Sequence, residues 1–93
     1  MRIRYHWEGG RYELRLAYSA SSNRATNVPA TVYHADGVNT VIVNQRKSPP
    51  IDDAFVSLGA YRFTSEQPAV VVITNTDTDG HVIIDALQFL PVR

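Results

Sequence analysis

Strict alternation is the feature that most limits what this chain can become. Between Arg11 and Tyr18, residues Tyr12, Leu14, Leu16 and Tyr18 fall on one face and Arg11, Glu13 and Arg15 on the other. That period of two is the mark of a half-buried antiparallel strand. No window of the sequence carries apolar residues at helical spacing, and no segment repeats. The chain is therefore committed to strands joined by turns.

The remaining strands follow from punctuation. Ile3, Tyr5 and Trp7 alternate with Arg2, Arg4 and His6, and Gly9-Gly10 reads as a hairpin turn into the Arg11 strand. A polar loop, Ser19 to about Val28, precedes a strand over Ala30 to His34, with Pro29 tolerated only at its start. Asp36-Gly37 supplies a tight turn into Thr40 to Gln45, and Pro49-Pro50 takes the chain out of the sheet. Ala54 to Phe63 is long, and Gly59 within it marks a bulge or bend. Ser65 to Pro68 turns into Ala69 to Thr74, apolar on both faces and so central in its sheet. After a polar loop over Asn75 to Gly80, a final strand is expected from His81 to Leu90, ended by Pro91. About seven short strands divided by Gly, Pro and Asp turns describe an all-β sandwich, with a small closed barrel as the alternative.

Length and charge narrow the function. The 93 residues read as one domain spanning 1–93, burying roughly 60–65% of the unfolded surface, which favours a shallow surface site over a deep pocket. Nine basic and nine acidic residues cancel, which argues against nucleic acid and against an anionic membrane surface. Without cysteine, thiol chemistry and disulfides are excluded. The longest apolar runs are far shorter than the roughly 20 residues of a membrane helix. The chain opens almost inside a strand with no apolar leader, so it reads as a piece of a longer protein.

Few residues carry chemistry. Asp77-Thr78-Asp79-Gly80 sets two carboxylates before a glycine, but the rest of a calcium loop is missing. A plain turn is the expectation, with Asp77 and Asp79 kept as weak metal candidates. Asp85, within the apolar run VIIDAL, would need a partner if buried; a structural anchor is expected, with metal ligation the lesser alternative. His6, His34 and His81 show no ligand spacing. No serine has a nucleophile elbow, and no Gly-rich dinucleotide fingerprint follows a strand, so neither catalysis nor a bound cofactor is expected. Asn23, Arg24, Asn44, Gln45 and Arg46 are the ligand-binding candidates, because planar amides and guanidinium groups match sugars and carboxylates. The competing role for them is to pin loops to the sheet. Trp7, with Tyr5, Tyr33 and Tyr61, could stack on a sugar ring or simply pack.

Several blocks together, GRYELRLAYSASSNRATNVPATV, HADG, VNQR, FVSLGAYRF and DGHVIIDALQF, make the chain similar to the golvesin C-terminal and xanthan-lyase-associated domain. That family also occurs appended to FAD-dependent oxidoreductases, many of them bacterial and exported. The resemblance implies a jelly-roll-like sandwich, similar to carbohydrate-binding modules and lacking some N-terminal strands of the full domain. It implies a noncatalytic accessory role, with polysaccharide or glycan as ligand, a parent catalytic domain as partner and an exported setting. Any flavin would belong to another domain. In related modules a closing-strand aspartate, here Asp85, helps hold structural calcium together with N-terminal acidic residues that this chain lacks. The missing strands leave an edge that a second copy of the chain could complete. A structural module that docks on its parent or self-associates is the alternative function.

Overall fold

The structure is a computed structural model that describes residues 2–4, 9–67 and 69–92, with side chains described from residue 9 onward. Among the described residues, seven strands form two antiparallel sheets: β1 (Arg2–Arg4), β2 (Gly10–Ala17), β3 (Val28–His34), β4 (Gly37–Val43), β5 (Phe55–Phe63), β6 (Val70–Ile73) and β7 (Ala86–Pro91). One sheet has the order β1-β6-β3-β4 and the other β5-β2-β7. Leu14, Leu16, Leu58 and Phe63 from the second sheet share a single buried core with Val28, Ala30, Val32, Val71 and Ile73 from the first. A core fed from two separate sheets makes the fold an open sandwich, and the closed barrel is set aside.

The alternation of β2 holds in three dimensions. Leu14, Leu16 and Tyr18 are buried while Arg11 is exposed, and Arg15 pairs with Glu13 at 3.0 Å. Gly59 does mark a bulge. Leu14 faces Gly59 but Arg15 faces Ser57, so Leu58 is an extra residue on β5. The bulge switches the inward parity of the strand, which explains how Leu58 and Phe63, of opposite parity, both reach the core. β6 is central, flanked by β1 and β3, and is apolar on both faces for that reason.

Four expectations need correction. Gly9-Gly10 does not close a hairpin between β1 and β2, because β1 pairs with β6 in the opposite sheet while β2 pairs with β5 and β7. β3 starts at Val28, with Pro29 second rather than first. The missing proline donor costs little there, because β6 reaches only as far as Ala30, opposite Ile73. β4 runs from Gly37 to Val43, leaving Asn44 and Gln45 beyond its end. The final strand begins at Ala86, not His81. Residues 81–85 instead distribute their backbone bonds among separate partners: His81 to Asn23 and Ala25, Ile83 to the Gln45 side chain, and Asp85 to Ala17 at the end of β2. Scattered partners cannot form a ladder, although the apolar residues of the run still pack against the core.

The antiparallel order gathers the functional candidates. The connections 18–27, 44–54 and 74–85 follow β2, β4 and β6, and all lie at one end of the sandwich. Arg4, opposite Val70, and Gly10, opposite Phe63, lie at the other. Tyr5, His6 and Trp7 fall outside the described residues.

Candidate functional site at the loop end

Three loops are tied together at this end by their own polar groups. Gln45 has no exposed surface. Its side-chain nitrogen donates to the Ile83 carbonyl at 2.8 Å, and its oxygen accepts from the Ile83 N–H at 2.9 Å. The Gln45 N–H donates to the Ala25 carbonyl at 2.9 Å. One residue thus joins all three loops. Tyr18, at the end of β2, adds a bond from its hydroxyl to the Lys47 carbonyl at 2.8 Å, and burial raises its pKa.

The other candidates surround that amide. Arg46 Nε donates to the Arg24 carbonyl at 2.7 Å, and its Nη2 reaches the Asp79 carbonyl at 3.5 Å. The Asn44 side-chain oxygen caps the Arg46 N–H at 3.0 Å. Arg24 Nη1 donates to the Asn23 side chain at 2.9 Å, and its Nε to the Ser19 carbonyl at 3.3 Å. A parallel bridge joins Arg24 to His81, in which Ala25 donates to His81 at 2.7 Å and His81 to Asn23 at 2.9 Å. The five residues singled out from the sequence do converge. Their bonds hold loops together, as the competing role anticipated, and Gln45 is enclosed, whereas Asn23 and Arg46 stay exposed and Arg24 half-exposed.

The acidic residues sit apart from one another. Asp79 binds Thr26 through both carboxylate oxygens, at 2.7 Å from the backbone N–H and 2.5 Å from the hydroxyl. The hydroxyl bond, then the amide bond, then the Arg46 charge hold the Asp79 pKa below its ordinary value. Asp77 lies in a turn at φ 58°, where an aspartate is tolerated, and its carbonyl accepts from Asn27 at 3.1 Å. Asp85 is exposed and outside any strand, so it is not the buried anchor expected from VIIDAL. Among the described residues, no three carboxylate or imidazole groups converge as a metal site would require.

Beside this cluster lies a feature the sequence did not single out. An open concavity of about 800 Å³ spans residues 73–84. Its more buried members are Ile73, Val82 and Ile84, and its exposed members include Asn75, Thr76 and His81. A second, smaller hollow of about 240 Å³ lies elsewhere, on the outer face of the first sheet between Tyr33, Gln67, Val70 and Val72. On that outer face Tyr33, Val38 and Ile42 are 43%, 54% and 60% exposed. Tyr61, by contrast, stacks near His34 with ring centroids 4.6 Å apart and donates to the Leu58 carbonyl. Of the four aromatics considered for stacking, the two described ones serve different surroundings.

Two antiparallel sheets over one core, with three polar loops gathered at one end, place the chain among the small β-sandwich modules. Residues 6–91 match the model of the Golvesin C-terminal domain, and the chain belongs to that family. It is 34% identical over 86 residues to xanthan lyase of Bacillus sp. (strain GL1), a match that covers 89% of this chain and 9% of that protein. The solved structure of Paenibacillus xanthan lyase superposes with a TM-score of 0.81 at 32% identity, over 92% of this chain and 8% of that one. The chain thus spans less than a tenth of the length of these relatives.

Proposed function

We propose that this chain is a noncatalytic accessory module that holds polysaccharide near a larger enzyme of which it is a small part. The observation that carries this reading is the extent of the match: nearly the whole chain aligns with a small fraction of a lyase named for the polysaccharide xanthan. The loop end supports it. Asn23, Arg24, Asn44 and Arg46 bond to one another and to backbone carbonyls, rather than standing as a nucleophile beside its base. On this reading Asn23, Arg24 and Arg46 border the bound saccharide, Gln45 holds the loops that shape the site, and Trp7 is the remaining stacking candidate. The setting is extracellular, where long polysaccharides are met. Affinity electrophoresis through gels containing xanthan, with an unrelated neutral polysaccharide in parallel, tests the proposal. Retardation is expected in at least one gel; unretarded migration in all of them, with unchanged emission from Trp7, would sink it.

A second reading is favoured by the outer face of the first sheet. β4 is an uncharged edge strand, and Val38 and Ile42 lie exposed beside Tyr33. Such an edge recruits another strand, which fits a module that docks on a neighbouring domain or pairs with a second copy of itself. Paired antiparallel about Thr40, two copies would set Val38 against Ile42 on the outer face, a favourable cross-strand match. Sedimentation velocity of the chain and of Ile42→Lys separates the cases. Concentration-dependent association lost in the variant supports self-pairing; a monomer at all concentrations rejects it.

A further inference from the structure

Resting on the saccharide-binding reading above, we infer that the contact site is the concavity over residues 73–84, and that it takes an uncharged sugar segment. The polar side chains of the loop end divide into two sets. Asn23, Arg24, Asn44, Gln45, Arg46 and Asp79 all have side-chain hydrogen-bond partners in the three loops, the first three within their own loop and Gln45, Arg46 and Asp79 in another. Thr74, Asn75, Thr76 and His81 make no side-chain hydrogen bond or ion pair among the described residues, and all four line the same concavity. A fold that satisfies its loop polar groups so thoroughly, yet leaves four side by side around one hollow, has groups to spare for a ligand.

The chemistry of that set selects the ligand. Hydroxyl, amide and neutral imidazole groups each donate and accept, as sugar hydroxyls do. The half-buried apolar surface of Val82 and Ile84 suits the C–H faces of a pyranose ring. The volume, about 800 Å³, falls within the roughly 300–1,000 Å³ of small-ligand sites. Among the described residues lining the hollow there is no Asp, Glu, Lys or Arg. Asp77 and Asp79 lie in the same loop and Asp85 just beyond it, while the Arg46 guanidinium is engaged by the Arg24 and Asp79 carbonyls. Like charge from those carboxylates disfavours a uronate. Among the described residues no Phe, Tyr or Trp ring lines the hollow, so affinity rests on hydrogen bonds and is weak.

Amide NMR titration of the chain distinguishes the outcomes, using cellotetraose, maltotetraose and mannotetraose as neutral probes and tetragalacturonate as the acidic one. Saturable shifts centred on residues 74–82 are expected with at least one neutral probe, with tetragalacturonate at least ten-fold weaker. Thr76→Val and His81→Ala should each weaken binding roughly two- to ten-fold, the worth of one net hydrogen bond. Their thermal midpoints should stay unchanged, because neither side chain holds the fold. Binding that persists in both variants, maps elsewhere or prefers the uronate overturns this inference while leaving the saccharide-binding reading intact. No saturable shift with any probe, together with free migration in the polysaccharide gels, overturns both.

Discussion

The Gln45 side chain and the Ile83 backbone form a closed pair, each supplying one donor and one acceptor, with bonds of 2.8 and 2.9 Å. Gln45 is fully enclosed, so no water replaces it when it is cut away. Gln45→Met keeps the volume but leaves the Ile83 N–H and C=O without that partner. The expected cost is about 2–4 kcal/mol in urea-unfolding stability, from two backbone groups deprived of hydrogen bonds. Gln45→Glu adds a pH signature. A protonated carboxyl can both donate and accept, whereas the carboxylate can only accept and is desolvated, so the native state raises its pKa. Its penalty is therefore small below about pH 4.3 and grows as pH rises past that value. A Gln45→Glu variant whose stability is flat from pH 3 to 7 would show that the pair is not closed.

Gly80 makes the neighbouring loop approach possible. A Cβ there would come within 2.7 Å of the Arg24 carbonyl carbon and oxygen and 2.9 Å of the Ala25 nitrogen. These are backbone atoms and cannot rotate aside. Gly80→Ala is expected to lower stability by about 1–3 kcal/mol through overpacking, and to speed amide exchange at Ala25, whose bond to His81 must lengthen. Unchanged exchange at Ala25 would show that the loops separate without that contact.

Asp79 gives the loop end its acid sensitivity. Bonds from the Thr26 hydroxyl and N–H, with a smaller contribution from Arg46, hold its pKa below the ordinary 3.8. A lowered native pKa means that the stabilisation is complete above about pH 4 and is lost as pH falls through the native value. Carboxyl carbon NMR should give a midpoint below 3.8, moving upward in Thr26→Val. Exchange at the Thr26 amide should accelerate over the same acid window and lose that dependence in Asp79→Asn. A midpoint at or above the ordinary value would refute the assignment.

The strands were legible where one face is buried and the other wet. β2 shows this, since alternation at Leu14 and Leu16 answers directly to the core. The start of β7 was not legible, because Val82, Ile83 and Ile84 are apolar for packing while the Ile83 backbone pairs with the Gln45 side chain and the flanking His81 and Asp85 bond to Asn23, Ala25 and Ala17. No periodicity records such partners. Asn23, Arg24, Asn44, Gln45 and Arg46 stood out by residue type alone; their convergence, and the enclosure of Gln45, depend on three loops meeting. The hollow over residues 73–84 escaped notice for a related reason: threonine and asparagine in a turn look alike whether or not their side chains are engaged. Asp85 misled because an apolar neighbourhood in sequence was equated with burial in space.

The bulge in β5 sets how the second sheet reaches the core. Gly59 has φ 104°, and an added Cβ would lie 2.7 Å from the Tyr61 hydroxyl, which donates to the Leu58 carbonyl. The two obstacles differ in kind: the tyrosine ring end can move, whereas the positive φ remains strained for any L side chain. Gly59→Ala is expected to cost about 1–3 kcal/mol from backbone strain. Adding Tyr61→Phe to it removes the hydroxyl clash and should recover only a minor part. Full recovery in the double variant would assign the cost to the side chain and leave the backbone unstrained. Deleting Leu58 tests the other half of the relationship. Without the extra residue, Gly59 and Ser57 would follow one another opposite Leu14 and Arg15 in an unbroken register, so Val56 and Phe55 would keep their faces and the core would lose only the buried Leu58 side chain. The deletion is therefore expected to keep a cooperative unfolding transition and to cost about 2–5 kcal/mol, as for other lost core leucines, and loss of that transition would show that the bulge itself holds the strand in place.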